Sequence, residues 1–181
     1  MAERIQKIAA VCHCVLNPAS KVLCRDEQES GRESVARNAV LRYMHDREVC
    51  VLQLPCPEFT LYGPLRWGFV REQADNVFFR AHCRRILDPV VEQLCEYAAH
   101  PELFEVLGIV GIDGSPSCGV NKTCSGDWFG EPFAGSNEQR VLAPASEKQG
   151  SGVFIEELTG LLHQRGLTLP VFSLQELTER I

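Results

Sequence analysis

Three of the nine cysteines in this 181-residue chain stand in short motifs whose residue types suit the binding of a bulky, soft cofactor. Cys14 closes Cys12-His13-Cys14, Cys56 sits in Pro55-Cys56-Pro57-Glu58, and Cys118 sits in Gly114-Ser115-Pro116-Ser117-Cys118-Gly119. Prolines stiffen such loops, and glycines let the backbone turn sharply and approach a ligand. A closed structural zinc site takes four ligands, often as paired CxxC spacings, and the chain contains no CxxC. A 4Fe–4S cluster is normally held by four cysteines. Three would leave one iron with an open position, able to bind substrate as a Lewis acid. Cys12 and Cys24 are the alternative ligands: Cys12 reads as the core-facing end of a strand, Cys24 as a residue of a polar loop. Cys50, Cys83 and Cys95 fall inside regular elements and read as packing residues, and Cys124 as structural or pocket-lining.

The elements that must position these residues follow from hydrophobic pattern. Ile5 to Val11 reads as a buried strand, Asn17 to about Ser30 as a polar loop, and Ser34 to Met44 as a helix. Val49 to Leu54 is a second strand, stopped by Pro55. Phe79, Cys83, Leu87, Val90, Leu94 and Ala98 share one face of a long helix, which Asp88-Pro89 is expected to kink or restart. Val106 to Ile112 is a third strand, and Asp113 to about Gln149 reads as loop with a short hairpin. Gly150 to Arg165 is a helix closed by Gly166, and Leu169 to Phe172 a last short strand. Ser173 then caps a terminal helix, with Glu176 placed for a capping box. Strands alternating with helices imply an α/β fold: one domain over 1–181, a three-layer, Rossmann-like sandwich with a mostly parallel sheet. The carboxyl ends of parallel strands share one edge, where ligands bind. Each of the first three strands runs into one of the cysteine motifs, so three thiols far apart in sequence can meet there.

Composition narrows the partners. The hydrophobic share is 45% and the charged share 23%, as in a compact soluble protein. A formal net charge of -6 disfavours nucleic acid, which needs a clustered basic face. The charged residues Glu3, Arg4 and Lys7 and the brief apolar run after them are too short for a leader's core or a membrane span, so a cytoplasmic location is expected. There the cysteines stay reduced rather than forming a disulfide framework.

The motifs HCVLN around Cys14, CPE at Cys56 to Glu58 and SPSCG at Ser115 to Gly119, with the later GSGVFIEELTGLLHQRG and VFSLQEL, resemble the thiouracil desulfurase (desulfidase) family. CVLN and CRDEQ at Cys24 depart from that family's CLLG-type and CRYDG-type sequences and mark a divergent branch. The resemblance implies a 4Fe–4S cluster on Cys14, Cys56 and Cys118, with one open iron. It also implies non-redox removal of sulfur from a small thiolated pyrimidine such as 4-thiouracil or its nucleotide. The family's assisting carboxylate and serine map to Glu58 and to Ser115 or Ser117. Bottom-up, replacing C=S by C=O needs a soft acceptor for sulfur, a base to activate water and a proton source. Desolvation is expected to raise the pKa of Glu58 and suit it to both proton roles, while a serine hydroxyl and the backbone N–H groups around Ser117 orient the base or stabilise developing charge. Three other readings compete. A lyase or hydratase would aim Arg25 or Arg66 at a substrate carboxylate, a non-catalytic metal-binding or redox-sensing module would lack an adjacent cavity, and a metal-free thiol enzyme would need a Cys–His pair.

Overall fold

The computed structural model describes residues 5–22, 27–129 and 144–181. Four parallel strands form the central sheet: β1 (Gln6–Cys12), β2 (Val49–Leu54), β3 (Phe104–Gly111) and β6 (Val171–Ser173), in the order β2-β1-β3-β6. Between them run α1 (His13–Leu16), a 3-10 turn (Pro18–Ser20), α2 (Glu27–Asp46), α3 (Pro57–Tyr62), α4 (Arg71–Ala74), α5 (Val77–Ala99) and α6 (Val153–Gln164), with α7 (Leu174–Arg180) last. The short strands β4 (Lys122–Ser125) and β5 (Ser146–Gln149) pair antiparallel, the hairpin expected in the third connection. Helix α5 packs on α6 and α2 on α7, so the α/β sandwich read from the strand–helix alternation is the fold observed. Among the described residues, no helix is long and apolar enough to cross a membrane.

The core explains why these segments form strands. Ala10, Val11, Cys12, Leu54 and Ile109 are fully buried, against Phe79, Leu87 and Leu94 of α5 and Phe154 and Leu158 of α6. Burying each large aliphatic or aromatic side chain stabilises by about 1.5–3 kcal/mol relative to exposure. Helix α5 runs unbroken through Pro89, without the restart at Asp88 that the sequence suggests. Asn76 caps it by accepting from the N–H groups of Phe78 and Phe79, both at 3.0 Å. The buried Leu87, Val90, Val91 and Leu94 hold the helix against the sheet on both sides of Pro89, which offsets a proline cost of about 3 kcal/mol. Helix α2 starts at Glu27 rather than Ser34. Its first turns carry strong helix formers such as glutamate, glutamine and arginine but no apolar stripe, so hydrophobic periodicity does not reveal them.

Register brings the cysteine loops together. Cys12 pairs with Leu54 across β1 and β2, and Val11 pairs with Val110 across β1 and β3. The three strands therefore end at one level, and the chain leaves β1 towards β2 on one side and returns to β3 on the other. That reversal between β1 and β3 opens a crevice at the carboxyl edge.

One contact fixes the third loop. Helix α6 begins at Gly152 with no side-chain cap, and its first N–H groups donate instead to carbonyls of the 116–119 loop. Val153 N donates to Pro116 O at 3.2 Å, Phe154 N to Ser117 O at 2.9 Å, and Gly152 N to Gly119 O at 2.9 Å. These bonds satisfy donors that a helix start otherwise leaves open. Gly152 has an ordinary φ of -71°, so the requirement there is for space: a Cβ would lie 2.4 Å from the Ser117 carbonyl. Gly152→Ala should cost about 1–3 kcal/mol of unfolding free energy through this overpacking, read as a lower urea midpoint with an unchanged m-value.

Candidate functional site

A cavity of about 240 Å³ lies in this crevice, and Cys14, Cys56, Cys118, Glu58, Ser115 and Ser117 all line it. The three thiols come from the N-terminal end of α1, the start of α3 and the loop after β3. Sequence spacing leaves Cys12 and Cys14 in competition, and the backbone separates them. The chain turns from strand to helix at His13, so Cys12 ends β1 fully buried while Cys14 lines the cavity. Cys24 and Arg25 lie outside the described residues. Cys124 also lines the cavity, and Cys83 is buried as expected. Cys50 is exposed instead of packed, because β2 is the edge strand of the sheet.

The thiols sense one another. Contact with Cys118, then burial, pushes the Cys14 thiol well above the ordinary range. Contact with Cys12 pushes Cys118 well above it too, although its bond with Cys14 acts the other way. Cys12 is lowered by its contact with Cys118 and raised on balance by burial and by Cys14 and Cys56. Burial raises Cys56, whose sulfur accepts the Phe59 N–H at 3.4 Å as the cap of α3. Among the described residues, no group of three or more His, Cys, Asp or Glu side chains is arranged to hold a single metal ion.

Beside the sulfurs lies a buried, hydrogen-bonded serine–carboxylate pair. Ser117 is 1% exposed and Glu58 9%, and Ser117 Oγ donates to Glu58 Oε1 at 2.6 Å. The other carboxylate oxygen, Oε2, accepts from Arg66 Nε at 3.2 Å. Arg66 also donates to Ser20 O at 2.6 Å and Gly63 O at 3.2 Å. Each of its nitrogens therefore makes one hydrogen bond within the protein. The same geometry separates the two serines. Ser115 Oγ accepts from Cys118 N at 3.0 Å and Ser117 N at 3.4 Å, which makes it a brace of the loop. Ser117 has one proton and gives it to Glu58, so Ser115 is the donor in the 3.4 Å contact between the hydroxyls.

Sequence reading missed two supports. Asp113 Oδ1 accepts the N–H groups of Val120, Asn121 and Lys122 at 3.1, 2.9 and 3.3 Å, closing the loop that carries Ser117 and Cys118. Those donors hold its carboxyl below the usual range against the opposing effect of burial. Its only sequence signal is Asp-Gly directly after a strand. Asn121 joins this clamp through Nδ2 to Asp113 Oδ2 at 3.3 Å. Lys21 lines the cavity and pairs with Glu33, while His13 meets Asn17 at 3.5 Å.

The second support lies under Cys56. Thr60 Oγ1 donates to Cys56 O at 2.7 Å and contacts His82 Nε2 at 2.8 Å, while Arg85 Nη2 meets His82 Nδ1 at 2.8 Å. Arginine only donates, so Nδ1 is the acceptor and Nε2 carries the proton, directed at Thr60. Burial, then Arg85, holds this imidazole below the usual histidine range, opposed by the Pro57 carbonyl of α3.

Two comparisons with known proteins match this chain. Residues 6–149 match the model of a family described as "Putative 2-thiouracil desulfurase". An uncharacterized protein of Methanocaldococcus jannaschii is 31% identical over 117 residues, covering 65% of this chain and 70% of that protein. No solved structure matches.

The histidine under Cys56 yields a pH test. Its folded pKa lies below the unfolded value of about 6.5, so the unfolded chain takes up the proton first as pH falls. The stability it contributes is complete above about pH 6.5 and is lost as pH drops from there towards the folded value. His82→Gln keeps a donor and an acceptor but does not titrate. Wild-type urea midpoints should fall more steeply than those of His82→Gln between about pH 7 and 5.

Proposed function

Because the chain belongs to this 2-thiouracil desulfurase family, we propose that it removes sulfur from thiolated uracil compounds by hydrolysis, with a 4Fe–4S cluster held by Cys14, Cys56 and Cys118. The observation that carries the reading is one cavity lined by these three thiols and by the Glu58–Ser117 pair. The donor set fits the group: three free, soft thiols, from α1, the start of α3 and the loop after β3, line one cavity, with Cys124 of β4 as a fourth cysteine on the wall. A cluster takes its ligands at separate corners, so the thiols need not converge on one point as they would around a single ion. Bound there, the cluster would supply an iron without a protein ligand, a soft Lewis-acid position for the substrate's sulfur.

The protein's own groups supply the proton chemistry. Conversion of C=S to C=O consumes one water and releases hydrosulfide, with no net oxidation. Glu58 Oε1 receives the proton that Ser117 Oγ gives up as that hydroxyl takes one from the attacking water. The same proton is then available to the ring nitrogen or to the departing sulfur. Arg66 fixes the far oxygen of Glu58 and so keeps Oε1 aimed at Ser117. The N–H groups of Ser117, Cys118 and Gly119 are used within the loop by Ser115, which leaves the Ser117 hydroxyl as the donor for this transfer. A cavity beside the thiols also argues for a catalytic site over a storage or sensing module.

The test is sulfide release from thiouracils by protein reconstituted with iron and sulfide without oxygen. Glu58→Gln and Ser117→Ala should keep the cluster's absorbance and lose roughly 10²- to 10⁴-fold in kcat. Alanine at Cys14, Cys56 or Cys118 should lower bound iron and abolish release. A wild type that binds no cluster, or full activity in Cys56→Ala, overturns the proposal.

A further inference from the structure

Resting on the desulfurase reading of this cavity, we infer that Phe69 is the platform on which the pyrimidine ring stacks. Among the described residues on the cavity wall, Phe69 is the one aromatic side chain. It is half-buried and sits in an irregular stretch between α3 and α4, with the Glu58 partner Arg66 three residues earlier.

Its ring is held in place. Phe69 meets Tyr62 edge-to-face at 5.9 Å and 71°, and Phe79 edge-to-face at 6.0 Å and 73°. Tyr62 and Phe79 stack on each other at 6.2 Å and 11°. Phe79 is fully buried at the capped start of α5, so the other two rings anchor Phe69 to the scaffold. Gly68, also on the wall, adds no side chain next to this fixed ring.

The rest of the wall suits the same guest. Ile112 and Pro116 are apolar, and among its polar groups Ser117 Oγ lies 3.6 Å from Cys118 Sγ and bonds Glu58. A planar heterocycle needs a flat surface for its face and donors or acceptors for its edge. Aromatic stacking fixes the plane of the ring and leaves the edge carrying the C=S group to the thiol and Ser117 side. The platform supplies affinity and orientation, whereas Glu58 and Ser117 move protons.

Uracil is the probe, because it keeps the ring and cannot react. Wild type, Phe69→Leu and Phe69→Tyr, reconstituted without oxygen, are titrated with uracil by calorimetry, and unfolding midpoints are read in parallel. Phe69→Leu should weaken uracil binding roughly 5- to 150-fold, the range that base–aromatic stacking carries, and Phe69→Tyr should restore it. With thiouracil, Phe69→Leu should raise KM more than it lowers kcat. If Phe69→Leu does not fold, Phe69→Met carries the same comparison. Uracil affinity unchanged in a folded non-aromatic variant, or no uracil binding by wild type, overturns the platform. Uracil binding that depends on Phe69, in a wild type that releases no sulfide, keeps the platform and removes the desulfurase reading.

Discussion

The start of α6 is held by main-chain carbonyls of the loop that carries Ser117 and Cys118. A helix beginning on glycine has open N–H groups and no side chain to close them, and a loop rich in proline and serine has carbonyls that its own turns do not consume. Each solves the other's deficit. The consequence is positional: the loop is fixed to a helix that packs against α5 and contributes Phe154 and Leu158 to the core. Ser117 and Cys118 therefore inherit the rigidity of the sandwich although they lie outside its regular elements.

Electrostatics complete what the backbone begins. Glu58 is nearly buried, and an isolated carboxylate there would be costly. Arg66 offsets that cost from a side chain that is itself only 4% exposed, and two backbone carbonyls accept from its other two nitrogens. Among the described residues, no buried side-chain nitrogen or oxygen lacks a hydrogen-bond partner. In such a closed network each polar group has little freedom to reorient.

Much of this was legible in the sequence, and the boundary is physical. β1 betrays itself because burial on both faces, from Ile8 to Cys12, demands a continuous apolar run, and a parallel sheet then dictates that loops after strands share an edge. The terminal helix was legible from its cap: Ser173 Oγ accepts the Glu176 N–H at 3.0 Å. What escaped depends on direction or on distant partners. A strand would aim residues 12 and 14 to the same side, and only the turn into α1 separates Cys12 from Cys14. Both serines of the 115–118 loop suit a turn, and which one faces Glu58 depends on a residue 59 positions away in the chain. Phe69 carries no pattern at all, since it belongs to an irregular stretch whose partners lie in α3 and α5.

The Asp113 clamp grips peptide N–H groups and is almost blind to what side chains follow. Val120 and Lys122 are thus free to drift through most residue types, proline excepted, since proline has no N–H to offer. Loop length has no such freedom, because one inserted residue would put the three donors out of step with a single carboxylate oxygen. In relatives of this chain, the segment should vary in spelling while keeping its count.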